Sequence, residues 1–187
     1  ITVIDRDFKE KPQTVRFDKD ENATNSIAID EKNGIYLATD KYMRKVVWTG
    51  TKLSNDEKDG AWKSEYETSE EPPAIKVGKG TGSTPTLMGF GNDEDKLVVI
   101  TDGAKRMNIV AFWRDEIPAG FKQQAGTKSN RIAAQMPITA GQPENTEWIQ
   151  SEQSVVVNGY GAFVVNNMIP EAPKDKLVGV LAIGPVL

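Results

Sequence analysis

The sequence contains neither histidine nor cysteine. Without histidine, the chain cannot build a Ser-His-Asp triad, a Cys-His pair or a His-ligated zinc site from its own residues. Without cysteine, it cannot form a disulfide, an iron–sulfur cluster or a redox dithiol. Because secreted and cytosolic proteins can both lack cysteine, this second absence leaves the cellular compartment open.

Long hydrophobic runs and an excess of positive charge are also missing. The longest apolar stretches, such as residues 178–183, are far shorter than the ~20 residues that a membrane-spanning helix needs.

The 23 basic and 27 acidic side chains give a net charge of −4, which argues against a nucleic-acid-binding protein. With 187 residues, of which 38% are hydrophobic, the chain is long enough to bury one core. We therefore expect one domain without a membrane span.

Both termini have the composition of interior segments. The chain begins with Ile1 in a β-branched run, residues 1–4, that is typical of a strand. Residues 177–187 are almost wholly apolar, which is uncommon for a solvated terminus. We expect this chain to be a piece of a longer protein.

Short β-type runs dominate the sequence, and helical periodicity is scarce. The runs are four to seven residues long and are bounded by turn formers such as Lys32-Asn33-Gly34 and Asn158-Gly159. They comprise residues 26–29, 34–39, 45–48, 96–101, 107–113, 154–157 and 161–165. Short strands joined by tight turns indicate antiparallel sheets, so the predicted fold class is all-β.

The same order of features occurs three times along the chain. In each unit a first strand opens near a small hydroxyl residue, and a second strand ends in a polar pair. The pairs begin at Thr39, Thr101 and Asn166, at spacings of 62 and 65 residues. In the first two units a third strand ends in tryptophan, at Trp48 and Trp113. Repeats of four-stranded β units indicate a β-propeller, although these units are longer than the ~40 to 50 residues of common propeller repeats.

The second unit carries a family resemblance. Its segments Gly82-Ser83-Thr84-Pro85-Thr86-Leu87, residues 96–103 and residues 108–113 resemble a blade of the quinoprotein-dehydrogenase-like (PQQ-repeat-like) β-propellers. In that superfamily a "TPT" strand precedes a second strand ending before Asp-Gly, and a third strand runs toward tryptophan. The usual Asp-x-x-Thr-Gly-x-x-x-Trp ending of a blade is absent from residues 40–48. The resemblance implies that this chain is part of a β-propeller of that superfamily.

The repeat length sets the predicted domain organisation. The whole chain, 1–187, would be part of one propeller domain: 1–24 the end of a preceding blade, 25–80 and 81–150 complete blades, and 151–187 an incomplete blade. Outer strands are expected at residues 61–67 and 131–137. About three four-stranded blades cannot close a ring, because closure needs four to eight blades. The expected partners therefore include the remaining blades of the same protein.

Polar residues at the strand ends are the predicted ligand site. In a propeller the first strand starts, and the second ends, at the same rim near the axis, where a small molecule or a protein could bind. The predicted rim residues are Asn25, Ser26, Asp40, Thr84, Asp102, Arg106, Gln153, Ser154, Asn166 and Asn167. The alternative is that these side chains satisfy local backbone donors in Asx and ST turns, as such residues commonly do at strand ends.

These features predict a scaffold or binding domain of unknown specificity rather than an enzyme. A calcium-dependent lactonase or hydrolase is the first alternative, since Ca²⁺ prefers oxygen ligands such as those of Asp40, Asp102 and Asn167. A quinone-dependent oxidoreductase is the second. We expect a bacterial protein in the periplasm or secreted from the cell.

Overall fold

The computed structural model describes residues 1–23, 25–72, 76 and 78–168. They form short β-strands, turns, loops and one 3₁₀ helix at Glu57–Asp59. The strands are β1 (Thr2–Val3), β2 (Gln13–Thr14), β3 (Ala28–Ile29), β4 (Gly34–Ala38), β5 (Tyr42–Trp48), β6 (Leu53–Ser54), β7 (Trp62–Glu65), β8 (Thr86–Met88), β9 (Leu97–Thr101), β10 (Asn108–Trp113), β11 (Ile132–Pro137), β12 (Val156–Asn158) and β13 (Gly161–Phe163).

The strands form four antiparallel sheets, each from one continuous stretch of chain. Sheet I is the pair β1–β2, and sheet IV is the pair β12–β13. Sheet III has the order β8-β9-β10-β11, in which every strand pairs with its neighbour in sequence. Sheet II has the order β3-β4-β5, and β6 and β7 both pair with the far edge of β5. The two larger sheets are therefore up-and-down meanders with four strand positions each.

Sheets II and III pack face to face. Residues on one face of sheet II, such as Tyr36 and Met43, share a hydrophobic cluster with Val98, Ile100 and Phe112 of sheet III. The Trp62 ring completes this cluster and lies 6.3 Å from the Phe112 ring, at an angle of 23° between the planes. The alternation of side chains along each strand directs these residues into the space between the two sheets.

The other faces of these two sheets pack against the smaller sheets. Ile35 and Leu37 of sheet II share a cluster with Val15 beside sheet I. On the far side of sheet III, Val99 shares a cluster with Val155, next to the first strand of sheet IV. The sheets therefore stack in chain order, I to II to III to IV.

Apolar side chains are exposed on sheet II, beside sheet I, and on the outer face of sheet IV. Ile29, beside Ile35 in the ladder of sheet II, is 57% exposed because sheet I covers only part of that face. At the other end, the cross-strand neighbours Val156 and Phe163 of sheet IV are 61% and 65% exposed. Adjacent exposed apolar side chains, such as Val156 and Phe163, are more typical of an interface than of a solvated surface.

The predicted all-β class with antiparallel sheets is confirmed over the described residues. The outer strands expected at 61–67 and 131–137 correspond to β7 and β11. Closure of the sheets into a propeller, and the division into blades at 24, 80 and 150, stay predictions. Residues 169–187, the end of the predicted third unit, lie outside the described residues. Within the part of the chain that is described, there is no helix of the length and apolarity needed to cross a membrane.

Candidate functional site

The predicted rim corresponds to one end of the strands of sheets II and III. Thr39 follows β4 and Tyr42 begins β5, while Thr101 ends β9 and Asn108 begins β10. Since β4 and β9 both end on this side, their polar residues lie at the same end of the stack. We call this end the polar rim.

Asp40 and Asn167 have similar contacts in the first and third units. The backbone N–H of Asp40 donates to the carbonyl of Asn22, and that of Asn167 donates to the carbonyl of Gln150. Both side chains also accept hydrogen bonds from the same upstream segments. The Asp40 carboxylate accepts from the backbone and side-chain nitrogens of Asn22, each at 2.9 Å, and the Asn167 amide oxygen accepts from Ser151 Oγ at 2.8 Å. These residues fasten the segment around the start of each unit to the end of its second strand.

Asp102, in the second unit, is fully buried and turns toward the following strand. Its Oδ1 accepts from the backbone N–H of Ala104 at 3.1 Å and of Asn108 at 2.8 Å, and its Oδ2 accepts from the Asn108 amide at 2.6 Å. Burial raises the pKa of Asp102 to about 6, although these hydrogen bonds favour the ionised form. Asp102 therefore holds the turn between β9 and β10.

The residues that open the first strands of sheets III and IV meet at the polar rim. Ser83 Oγ lies 2.8 Å from Thr101 Oγ1 and donates to the carbonyl of Gln153 at 2.9 Å. The backbone N–H of Thr84 donates to Ser154 Oγ at 3.2 Å. Of the predicted rim residues, Thr84, Gln153 and Ser154 are thus brought together, by contacts between neighbouring units.

Four further predicted rim residues lie apart from that group. The Asn25 amide donates to the carbonyl of Thr81 at 2.9 Å and joins sheet II to the segment before β8. Ser26 is exposed. Asn166 Oδ1 accepts from the backbone N–H of Gln150 at 3.2 Å. Arg106 donates to the carbonyl of Glu144.

The three predicted calcium ligands already have protein partners. Asp40, Asp102 and Asn167 accept the hydrogen bonds described above. Across the described residues, no three or more acidic side chains are grouped closely enough to hold a metal ion. The calcium site stays a prediction, without a preformed carboxylate cluster in support.

A buried ion pair near the polar rim was not predicted from the sequence. Lys76 is 2% exposed, and its Nζ lies 2.8 Å from Glu152 Oε1. Burial lowers the pKa of the Lys76 ammonium, while the charge of Glu152 opposes that shift. This pair links the segment before sheet III to the segment before sheet IV.

At the opposite end of the strands, a cleft with a volume of about 860 Å³ opens between sheets II and III. Its walls combine basic and acidic side chains with two tryptophans. The residues that line it are Lys32, Lys45, Glu57, Lys58, Gly60, Ala61, Trp62, Lys63, Glu94, Asp95, Lys96, Trp113, Asp115, Glu116, Ile117, Pro118, Ser129, Asn130 and Arg131. Its size is within the range of pockets that bind small molecules.

The floor of the cleft is a hydrogen-bonded network between the two sheets. Lys45 Nζ, from sheet II, donates to the carbonyl of Arg114 at 3.0 Å and to Asp115 Oδ1 at 3.1 Å. Lys32 Nζ donates to the other carboxylate oxygen of Asp115 at 2.8 Å, and Trp62 Nε1 donates to the Arg114 carbonyl at 3.0 Å. Partial burial of Asp115 opposes ionisation, but the two lysines hold its pKa below the usual value. The floor therefore consists of charged groups that are hydrogen-bonded to one another across the two sheets.

Arg131 forms one wall of the cleft, just before β11. Its Nη1 donates to the carbonyls of Trp113 at 2.9 Å and of Asp115 at 2.7 Å. Its guanidinium carbon lies 4.9 Å from the centroid of the Trp62 ring. The arginine is thus held by sheet III on one side and by an aromatic ring of sheet II on the other.

Sequence reasoning placed the site at the polar rim and missed this cleft. One signal was present: Lys45 lies in the middle of β5, beside Arg44 and before Val46, and a charged side chain in a buried strand must find a partner. The partner, Asp115, is 70 residues away in sequence. No local pattern identifies such a distant pair.

Comparison with known proteins shows that the chain is similar in sequence to part of a longer protein. An "Uncharacterized protein" of Archaeoglobus fulgidus is 44% identical over 149 residues. The match covers 80% of this chain but 27% of that protein, so the chain spans about a quarter of its relative's length. No protein-family model and no solved structure matches. The relative is archaeal, and the bacterial source expected from the sequence stays a prediction.

Proposed function

We propose that this chain is a ligand-binding part of a β-propeller protein, and that a small molecule binds in the cleft between sheets II and III. The observation that carries this proposal is the cleft itself, with a volume of about 860 Å³ and a floor fixed by Lys45, Asp115 and Trp62. Preformed clefts that combine aromatic walls with a few fixed polar groups are typical ligand sites.

The stacking of the sheets supports the propeller part of the proposal. Sheets I to IV pack face to face in chain order, and the two larger sheets are meanders with four strand positions. In a propeller, each blade packs its faces against the blades before and after it. The exposed apolar residues Ile29, Val156 and Phe163 would then contact further blades.

The contacts at the polar rim favour the cleft over the rim as the binding place. Asp40, Asp102 and Asn167 accept hydrogen bonds from neighbouring protein groups, as expected for residues that fix strand ends. Binding there would require these hydrogen bonds to be broken. No feature of the described residues favours the hydrolase or the oxidoreductase alternative, and both stay predictions. The extracytoplasmic location also stays a prediction.

A ligand screen with two blocking variants tests the proposal. A diverse small-molecule library is screened against the intact protein by thermal shift. Asn130→Trp adds bulk at an exposed position on the cleft wall, and Ser26→Trp adds the same bulk at an exposed position of the polar rim. We expect Asn130→Trp to abolish the shifts produced by the hits and Ser26→Trp to leave them intact.

Two results would contradict the proposal. If Ser26→Trp abolishes binding and Asn130→Trp does not, the ligand binds at the polar rim predicted from the sequence. If no compound in the library stabilises the wild-type protein, the binding function itself is rejected, since a ligand that binds only the folded state must raise the melting temperature.

A further inference from the structure

Arg131 has a fixed position in the cleft. Two carbonyls accept from its Nη1, at 2.9 Å from Trp113 and 2.7 Å from Asp115, and its guanidinium lies over the Trp62 ring. A side chain held from two sides loses little conformational entropy when a ligand binds. The guanidinium is therefore oriented before any ligand arrives.

Arg131 forms no ion pair with a carboxylate of the described residues, although the charges of Glu57 and Asp115 favour its ionised form. Among these residues, Lys32 and Lys45 pair with Asp115, and Lys58 pairs with Asp56, whereas Arg131 takes part in no ion pair. Partial burial lowers the pKa of Arg131, because desolvation penalises the charged form. A nearby anion would relieve this penalty.

Donors remain on Arg131 for a ligand. A guanidinium has five N–H groups, and the contacts to the two carbonyls use only Nη1. The Nε and Nη2 groups form the planar fork that matches two oxygens of a carboxylate or phosphate. Trp113, Ile117 and Pro118, which also line the cleft, offer apolar surface for the rest of a small molecule.

We infer that Arg131 is the anchor for a carboxylate or phosphate group of a small molecule bound in the cleft. This inference rests on the proposed binding function and adds the chemical class of the ligand. The oxyanion accepts two hydrogen bonds from the guanidinium fork, and the ligand body lies against Trp113. Glu57 and Glu116, which line the same cleft, disfavour ligands with more than one oxyanion group.

The test uses three probes and three variants of the intact protein. Benzoate and inorganic phosphate supply the two oxyanions, and benzamide is the neutral counterpart of benzoate. Calorimetric titrations at constant ionic strength measure the affinity of each probe for the wild type, Arg131→Gln and Arg131→Lys. Arg106→Gln removes one positive charge at the polar rim and serves as the matched control. Circular dichroism of each variant identifies any that fails to fold, and Arg131→Lys retains the charge if Arg131→Gln does not fold.

We expect the wild type to bind benzoate and phosphate at millimolar concentration and to bind benzamide more weakly. Both Arg131 variants should weaken binding of the two anions by at least about tenfold, because lysine keeps the charge but lacks the fork. Arg106→Gln should bind as the wild type does.

The inference is overturned if neither anion binds saturably, if the Arg131 and Arg106 variants lose affinity equally, or if the Arg131 variants bind benzoate as tightly as the wild type does. If benzamide binds as well as benzoate, and Asn130→Trp abolishes both, the oxyanion inference fails while the proposed binding cleft stands.

Discussion

The polar residues that end the second strands have different roles in the three units. Asp40 and Asn167 fasten upstream segments to their own sheets, whereas the buried Asp102 holds the turn that follows β9. Their position at strand ends could be predicted from the sequence, because Asp and Asn are favoured where backbone donors lack strand partners. Which donors each side chain meets depends on tertiary packing, and the burial of Asp102 could not be predicted.

Asp102 should make the stability of the protein depend on pH. Its folded-state pKa of about 6 lies above the usual value of 3.8, so the folded protein binds this proton more tightly than the unfolded chain does. The stabilisation is present below pH 4 and is lost as the pH rises through 6. A difference of about two pKa units between the folded and unfolded states corresponds to about 3 kcal/mol in the free energy of unfolding.

Asp102→Asn removes this titrating group. The Asn108 amide can rotate so that the hydrogen bond between residues 102 and 108 is kept. Urea unfolding of wild type and variant at several pH values measures the effect. We expect the wild type to lose stability relative to Asp102→Asn between pH 4 and pH 7. A difference between the two proteins that stays constant over this range would contradict the assignment.

At the scale of elements, the strands were more predictable than the contacts between them. The β-branched runs and the glycine turns identify β4, β5, β9 and β10 within a few residues. The split of the outer edge of sheet II into β6 and β7 was not predicted, because residues 55–61 between them have only loop composition. The cleft could not be predicted either, since its charged residues resemble those of any solvated loop.

Tyr66 illustrates a contact between elements that no local pattern predicts. Its side chain follows β7 and is 3% exposed, and its hydroxyl donates to the carbonyl of Thr39. The same hydroxyl accepts from the backbone N–H of Thr81 at 3.0 Å. Gly80 lies so close to this hydroxyl that a Cβ there would collide with it. Tyr66 thus joins sheet II to the segment before sheet III.

Tyr66→Phe should lower the free energy of unfolding by about 1–3 kcal/mol, because it leaves two buried backbone groups without a partner. Tyr160→Phe is the matched control. The Tyr160 hydroxyl also bridges the backbone N–H and carbonyl of one residue, Asp95, at 3.1 Å each, but Tyr160 is 53% exposed and water can replace it. We expect the control to change stability by less than about 0.5 kcal/mol in urea titrations. Equal effects of the two substitutions would show that Tyr66 has no special role between the sheets.

At the scale of the whole molecule, the described sheets form an open stack. Its inner faces are buried, while apolar side chains remain uncovered at Ile29, on the face of sheet II that sheet I only partly covers, and at Val156 and Phe163 of sheet IV. The chain also spans about a quarter of its archaeal relative. The central claim is therefore that further sheets of the same protein cover both faces and close a ring.

A crystal structure of the intact protein tests this claim most directly. We predict a closed ring of four-stranded sheets in which one neighbouring sheet covers Ile29 and another covers Val156 and Phe163. A structure in which these three side chains face solvent, or in which the strands form a two-layer sandwich, would contradict the claim.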